Sequence, residues 1–190
     1  ASARRLYEDL GFVEQRTFTR WRHAMHHHVP PLPDDAPELV PLTRGDVGAL
    51  YRLAADTRPN ARGGLGWLRP LEPKTFDPWQ WGGLRPFLTG RNLRHWVAPR
   101  ADGTLDAALS AEMRLGYRTV LIDVLVHPSR QGELERGLIN GGLRRLAARH
   151  RPILSEHPAD DEAASAAFRA NHFVPERSLV HMVWTVPQRR

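Results

Sequence analysis

The sequence predicts a domain of mixed α/β architecture, of the α+β kind, in which a mostly antiparallel central sheet is flanked by helices. Three observations carry that prediction. Asp102-Gly103 lies between two strand-like runs and is a strong hairpin signal. Residues 118–126 alternate Val120, Ile122, Val124 and Val126 with Leu121, Asp123 and Leu125, so they read as a central strand that is apolar on nearly both faces. Beyond that strand, segments of helical and of strand period alternate to the end of the chain.

Taken in order, residues 2–10 read as a helix with Leu6 and Leu10 one turn apart and Gly11 placed to end it. Residues 13–22, rich in Thr, Phe and Trp, read as a strand. Three histidines, His26, His27 and His28, precede Pro30, Pro31 and Pro33, and residues 24–36 read as a linker. Residues 38–42 form a short strand, and Thr43-Arg-Gly-Asp46 opens a helix whose apolar face carries Val47, Leu50, Tyr51 and Ala54. Residues 57–92 are loop-rich, with Gly63, Gly64, Gly66, Gly82 and Gly83 beside Trp67, Trp79 and Trp81. The tryptophans are either core or the cap of a hydrophobic pocket.

Strands at 95–98 and 105–115 follow, Gly116 turns the chain into the strand 118–126, and His127-Pro128 ends it. A helix over 133–150 carries Leu134, Leu138, Ile139, Leu143 and Leu146 at helical spacing, interrupted by Gly137, Gly141 and Gly142. Residues 152–156 form a strand, 160–171 a helix and 175–186 the last strand.

The chain of 190 residues, 41% hydrophobic, suffices for one core and is short for two. The helix–turn–strand pattern at its start returns at its end: placing Phe12 on Phe173, an offset of 161, also pairs Ala3 with Ala164, Tyr7 with Phe168 and Val13 with Val174. An offset near one domain length is what tandem duplication produces. The division that follows is residues 1–23 as the helix–strand end of a first domain, 24–36 as a linker, and 37–190 as a full domain. The fragment 1–23 is expected to dock on a sheet edge of its own domain or to exchange with a partner chain in a homodimer.

Composition narrows the function. No run of about 18 apolar residues is present and the start lacks a signal peptide's apolar core, so a cytoplasmic location is expected. With no cysteine there is neither a disulfide framework nor a thiolate nucleophile or metal ligand. The charge of +6 comes from arginines dispersed along the chain, with Lys74 the sole lysine, an excess fitting GC-rich bacterial coding rather than a nucleic-acid footprint. Three consecutive histidines in an extended linker cannot face one ion, so no metal is expected there.

The order of elements, together with Val126-His127-Pro128 leading through Arg130 into a helix, resembles the GNAT acyltransferases. Leu6-Tyr7-Glu-Asp-Leu-Gly-Phe12 resembles the end of another such domain. The resemblance implies an acyl-CoA-dependent N-acyltransferase in which a small-molecule or peptide amine attacks the thioester of acetyl-CoA. It implies that backbone amides at Val124, Leu125 and Val126 hold the acyl group and pantetheine. The loop Arg130, Gln131, Gly132, Glu133, Leu134 and Glu135 would meet the pyrophosphate at a helix N-terminus, where free N–H groups and the helix dipole favour an anion.

The chain departs from the family pattern in two places. Glu133 and Glu135 stand where the loop glycines belong when Arg130 is set first, and Leu134 and Arg136 stand there when Gln131 is first. The tyrosine that protonates the departing thiolate is matched by Tyr7 in the first repeat and by Phe168 in the second, and phenylalanine has no proton to give. Asp123 and Glu112 are the candidate bases; Asp123 would alternatively pair with Arg114 or Arg118, and Glu112 would alternatively meet solvent. His127 reads as a shuttle or a turn residue. A second reading is a catalytically silent GNAT-like module that completes or stabilises a neighbouring acetyltransferase domain.

Overall fold

The structure, a computed structural model, describes residues 3–24, 28–67, 69–76, 90–114 and 116–184. Its elements follow the expected order: α1 (Ala3–Asp9), β1 (Phe12–His23), β2 (Val40–Pro41), α2 (Val47–Thr57), β3 (Arg91–Pro99), β4 (Leu105–Arg114), β5 (Val120–Val126), α3 (Glu135–Leu146), β6 (Ile153–Pro158), α4 (Glu162–Ala170) and β7 (Val174–Trp184). The expectations for His26, His27, Trp79, Trp81, Gly82, Gly83, Leu115 and Val186 fall outside the described residues. The strands join one sheet in the order β2-β3-β4-β5-β6-β1-β7, antiparallel throughout except for the parallel pair β5–β6.

The sheet separates two apolar layers because side chains alternate along each strand. Val120, Ile122, Val124 and Val126 of β5 pack with Leu134, Leu138 and Leu143 beneath α3 and with Phe168 of α4. Leu125 points the other way, into a cluster with Leu50, Leu53 and Ala54 of α2. The expected cap of α2 is present, with Thr43 N–H donating to Asp46 Oδ2 at 2.9 Å across a 3₁₀ turn (Arg44–Asp46). The face of α2 is turned by about one position from expectation: Ala49 and Leu53 are buried, whereas Val47 and Tyr51 lie at the margin.

Strand β1 is not on an edge and needs no partner chain. It stands inside the sheet, with Phe18 opposite Pro158 of β6 on one side and Leu179 of β7 on the other. An interior position satisfies both rows of its backbone groups at once, where an outer edge would satisfy one. Its side chains enter the core: Phe18 is 0% and Trp21 1% exposed, and Trp21 stacks on Phe168 with ring centroids 5.4 Å apart.

Helix α3 is shorter than its sequence pattern. It starts at Glu135, because Pro128–Arg130 form a separate 3₁₀ turn, and it gives way after Leu146 to a second such turn (Ala147–Arg149). Its glycines are contact points rather than weaknesses. A Cβ on Gly137 would come within 2.7 Å of Ala36 Cα and 2.9 Å of Pro37 Cδ. The proline-rich segment is therefore strapped to α3, where Pro30 O accepts from Asn140 Nδ2 at 2.9 Å and from Arg144 Nη2 at 2.6 Å. Gly137→Ala is expected to cost about 1–3 kcal/mol by forcing these backbones apart, despite raising helix propensity. Urea unfolding checks this, and a stabilised variant would contradict it.

Candidate active site

Strands β5 and β6 pair only from Val120–Ile153 to Ile122–Ser155, although β5 continues to Val126 and β6 to Pro158. The two strands part at the middle of the sheet, and the hinge from His127 to Leu134 follows directly from the open end of β5. On its other side β5 stays paired with β4, up to Val126 opposite Ala107. Val124, Leu125 and Val126 are thus held rigidly at the mouth of a wedge.

The two hinge acids behave differently. Glu133 is 58% exposed at its side chain and pairs with Arg130 Nη1 at 3.1 Å. Glu135 is 3% exposed, and its Oε2 accepts the Gly132 N–H at 2.9 Å. Burial pushes its carboxyl above the usual range, against backbone N–H groups that pull it down. Sequence reasoning gave Glu133 and Glu135 the same repelling role; the geometry separates them, with Glu135 buried on the Gly132 N–H and Glu133 exposed on Arg130. Gln131 stays exposed, Leu134 turns into the core, and Arg130 lies 3.9 Å from Asp106.

The wedge between β5 and β6 also holds a side chain. Arg58, one residue past α2 and only 6% exposed, directs Nη2 to within 3.5 Å of Val124 O and 3.1 Å of His157 Nδ1. His157 Nε2 lies 2.9 Å from both Asp161 Oδ2 and Arg58 Nη2, so the ring is held between the carboxylate and the guanidinium. Asp161 also caps α4 by accepting from Ala164 N–H at 3.0 Å. Burial, then Arg16, pushes the guanidinium down to about 10, and burial, then Arg58, pushes His157 down to about 4. Nothing in the local sequence marked Arg58, because its partners lie 66 and 99 residues away.

On the α2 side of the sheet a cavity of about 220 Å³ is bounded by Arg69, Phe76, Arg91, His95, Ser110 and Asp123. Asp123 pairs with Arg69 of the loop-rich segment, not with Arg114 or Arg118 as expected from strand neighbours. Glu112 does not meet solvent. It is 3% exposed and takes Arg91 Nε at 2.7 Å and Nη2 at 2.8 Å, with Arg114 on the same oxygen as Nε and Arg69 at 3.6 Å. Burial raises its pKa, but Arg91 and Arg114 override this and hold it at about 2. Glu156, missed from the sequence, is 4% exposed, bound by Arg20 and by the Trp67 N–H. Its signal was an acid ending a short apolar strand.

Tyr7 is far from buried, at 47% exposed, and meets Phe12 edge-on. Phe168 is fully buried between Trp21, His157 and Phe173 and brings no proton donor to the wedge. His127 accepts from Ser129 N–H at 3.2 Å, the turn role. Among the described residues no three His, Asp or Glu side chains converge on a point that would hold a metal, and no helix is long and apolar enough to cross a membrane.

These shifts determine how stability depends on pH. His95, pushed down to about 4 by burial and then Arg69, and His157 at about 4 both lie below their ordinary 6.5, so the unfolded chain gains protons first and stability falls between pH 6.5 and 4. Glu112 and Asp161, at about 2 against ordinary values of 4.5 and 3.8, add a further loss from about pH 4.5 to 2. Thermal unfolding followed from pH 7 to 3 is expected to show Tm falling throughout. A flat Tm between pH 6.5 and 4.5 would contradict the buried neutral histidines.

Comparison with known proteins bears on the fold. No family profile matches the chain, and no curated protein matches it. Solved structures do. A protein assigned to the GNAT acetyltransferases from Novosphingobium aromaticivorans DSM 12444 is 22% identical with a TM-score of 0.58, covering 90% of this chain and 65% of its own. A tandem GNAT protein of the clavulanic acid biosynthesis pathway, without acetyl-CoA, is 18% identical with a TM-score of 0.60, covering 94% and 57%. A GCN5-related N-acetyltransferase from Sphaerobacter thermophilus is 18% identical with a TM-score of 0.55, covering 94% and 54%. The chain spans between about half and two thirds of the length of these structures. The split β5–β6 pair, the hinge into α3 and these likenesses together make this chain a bearer of the fold of the GNAT acetyltransferase superfamily.

Proposed function

We propose that this chain is the silent partner in an acyl-CoA-dependent N-acetyltransferase: a GNAT-like module that completes or stabilises a neighbouring acetyltransferase domain. One observation carries the reading. The Glu135 carboxylate accepts the Gly132 N–H at the place where the fold would receive a diphosphate, so the cradle is filled by the chain's own anion. Arg58 takes the Val124 carbonyl in the wedge, where pantetheine would run. The residues present therefore do not fit acetyl-CoA. The division into residues 1–23, 24–36 and 37–190, action in the cytoplasm, and an amine acceptor bound by the neighbouring domain belong to the same reading. Calorimetry with acetyl-CoA is the test: no saturable binding is expected up to millimolar concentration, and micromolar binding would overturn the proposal.

A second reading, acyl transfer by this chain to a small-molecule or peptide amine, draws on the cavity bounded by Asp123. In it Asp123 rather than Glu112 would take the proton, because a carboxylate held at about 2 by its arginines is a poor base near neutrality.

A further inference from the structure

The helix–turn–strand units α1–β1 and α4–β7 share geometry as well as spacing. Leu10 N–H is shared between Leu6 O and Tyr7 O at 3.2 Å each, and Asn171 N–H between Ala167 O and Phe168 O at 3.1 Å each. Gly11 N–H donates to Glu8 O at 2.9 Å, and His172 N–H to Arg169 O at 2.9 Å. Gly11 and His172 both take left-handed backbone, with φ of +85° and +61°. Glycine adopts this freely, whereas a histidine there is uncommon, so its presence marks a turn imposed by the unit. Tyr7 meets Phe12 edge-on at 5.4 Å and 72°, and Phe168 meets Phe173 at 5.1 Å and 72°. Each residue of one unit matches a residue of the other at the same offset of 161.

What differs is the cover. The inner face of α4 is closed, with Ala164 and Phe168 0% and Ala167 6% exposed against α3 and Trp21. The matching face of α1 is bare: Leu6 is 58%, Tyr7 47% and Leu10 58% exposed, and the helix buries no residue at all. Trp184 at 52%, opposite Phe12 in the register of β1 and β7, extends the patch on the side of the sheet that Tyr7 meets. A cluster of this kind, on a helix whose twin is fully covered, marks a docking surface.

We infer that this face seats a second GNAT-like core, joined ahead of residue 1 in the same polypeptide. Helix α1 is then that core's last helix, and β1 is a strand it lends to the present sheet. The twin unit identifies the occupant, because what closes α4 is an α3-like helix and a sheet of this fold. The chain spans 57% of the tandem protein it matches, which leaves length for another core. The inference rests on reading the chain as one half of a tandem protein, yet it is independent of whether this half binds acetyl-CoA.

The test compares the present chain with the longer polypeptide encoded by the same reading frame, each with and without Leu6→Asp, Tyr7→Asp and Leu10→Asp together. In the chain alone the substituted side chains stay in water, so Tm is expected to move by less than about 1 °C. In the longer polypeptide Tm is expected to fall by at least about 4 °C, with loss of hydrogen-exchange protection in α1. An unchanged longer polypeptide, or a frame encoding no GNAT-like core ahead of Ala1, overturns the inference. So does a dimer of the present chain that the triple substitution dissolves, since a second copy would then own the face. Acetyl-CoA calorimetry reads the silent-module proposal separately, so the two fail in distinguishable ways.

Discussion

Replacing Glu133 and Glu135 by glycine is expected to give the chain measurable affinity for acetyl-CoA, with nearly all of the gain coming from position 135. Glu135 is buried on the Gly132 N–H, whereas Glu133 is exposed and already paired with Arg130. Removing a carboxylate from beside a bound diphosphate relieves about 1–4 kcal/mol at effective dielectric constants between water and protein surface, or roughly ten- to several-hundredfold in affinity. Removal also takes a favourable charge from the first turn of α3, a loss of about 0.3–1 kcal/mol that a thermal melt would register. Arg58 still fills the wedge in this variant, so inorganic pyrophosphate should gain as much as acetyl-CoA does. Equal gains from Glu133→Gly alone, or none from the pair, would dispose of the internal anion. A gain for acetyl-CoA well beyond that for pyrophosphate would show that Arg58 does not block the wedge.

The local patterns that foretold the fold are those whose physics is short-range. Asp102-Gly103 turns one strand into the next, and the double-sided apolar run of β5 could only be central. The same alternation set Asp123 on the strand face opposite Val120, Ile122, Val124 and Val126. The sequence pointed Asp123 to its strand neighbours Arg114 and Arg118, whereas the partner it takes comes from elsewhere: Arg69 reaches Asp123 across 54 residues, as Arg58 reaches His157 across 99. Glu135 shows a second limit. Its spacing announced a carboxylate near the cradle, but whether that group repels a ligand or replaces it depends on a rotamer, and composition carries no rotamer. That Phe168 became the hub of an aromatic stack with Trp21 was not legible, since Trp21 lies in the fragment read as foreign to the domain.

That fragment supplies the largest effect expected on stability: a chain beginning at residue 37 should not fold cooperatively. Deleting β1 removes the strand between β6 and β7 and leaves each with an unpaired row of N–H and C=O groups. It also empties two core sites, because Phe18 and Trp21 are among the largest fully buried side chains. Loss of a buried Phe or Trp costs about 3–5 kcal/mol each, so two such losses, about 6–10 kcal/mol together, take most of the ~5–15 kcal/mol that holds a typical domain together, before the unpaired strands are counted. Circular dichroism and urea unfolding of residues 37–190 are expected to show weak, broad transitions, while Trp21→Ala in the full chain should remain folded but lose about 3–5 kcal/mol. A sharp two-state transition for residues 37–190 would mean that β6 and β7 can close on each other. β1 would then be a guest in this sheet and not one of its members.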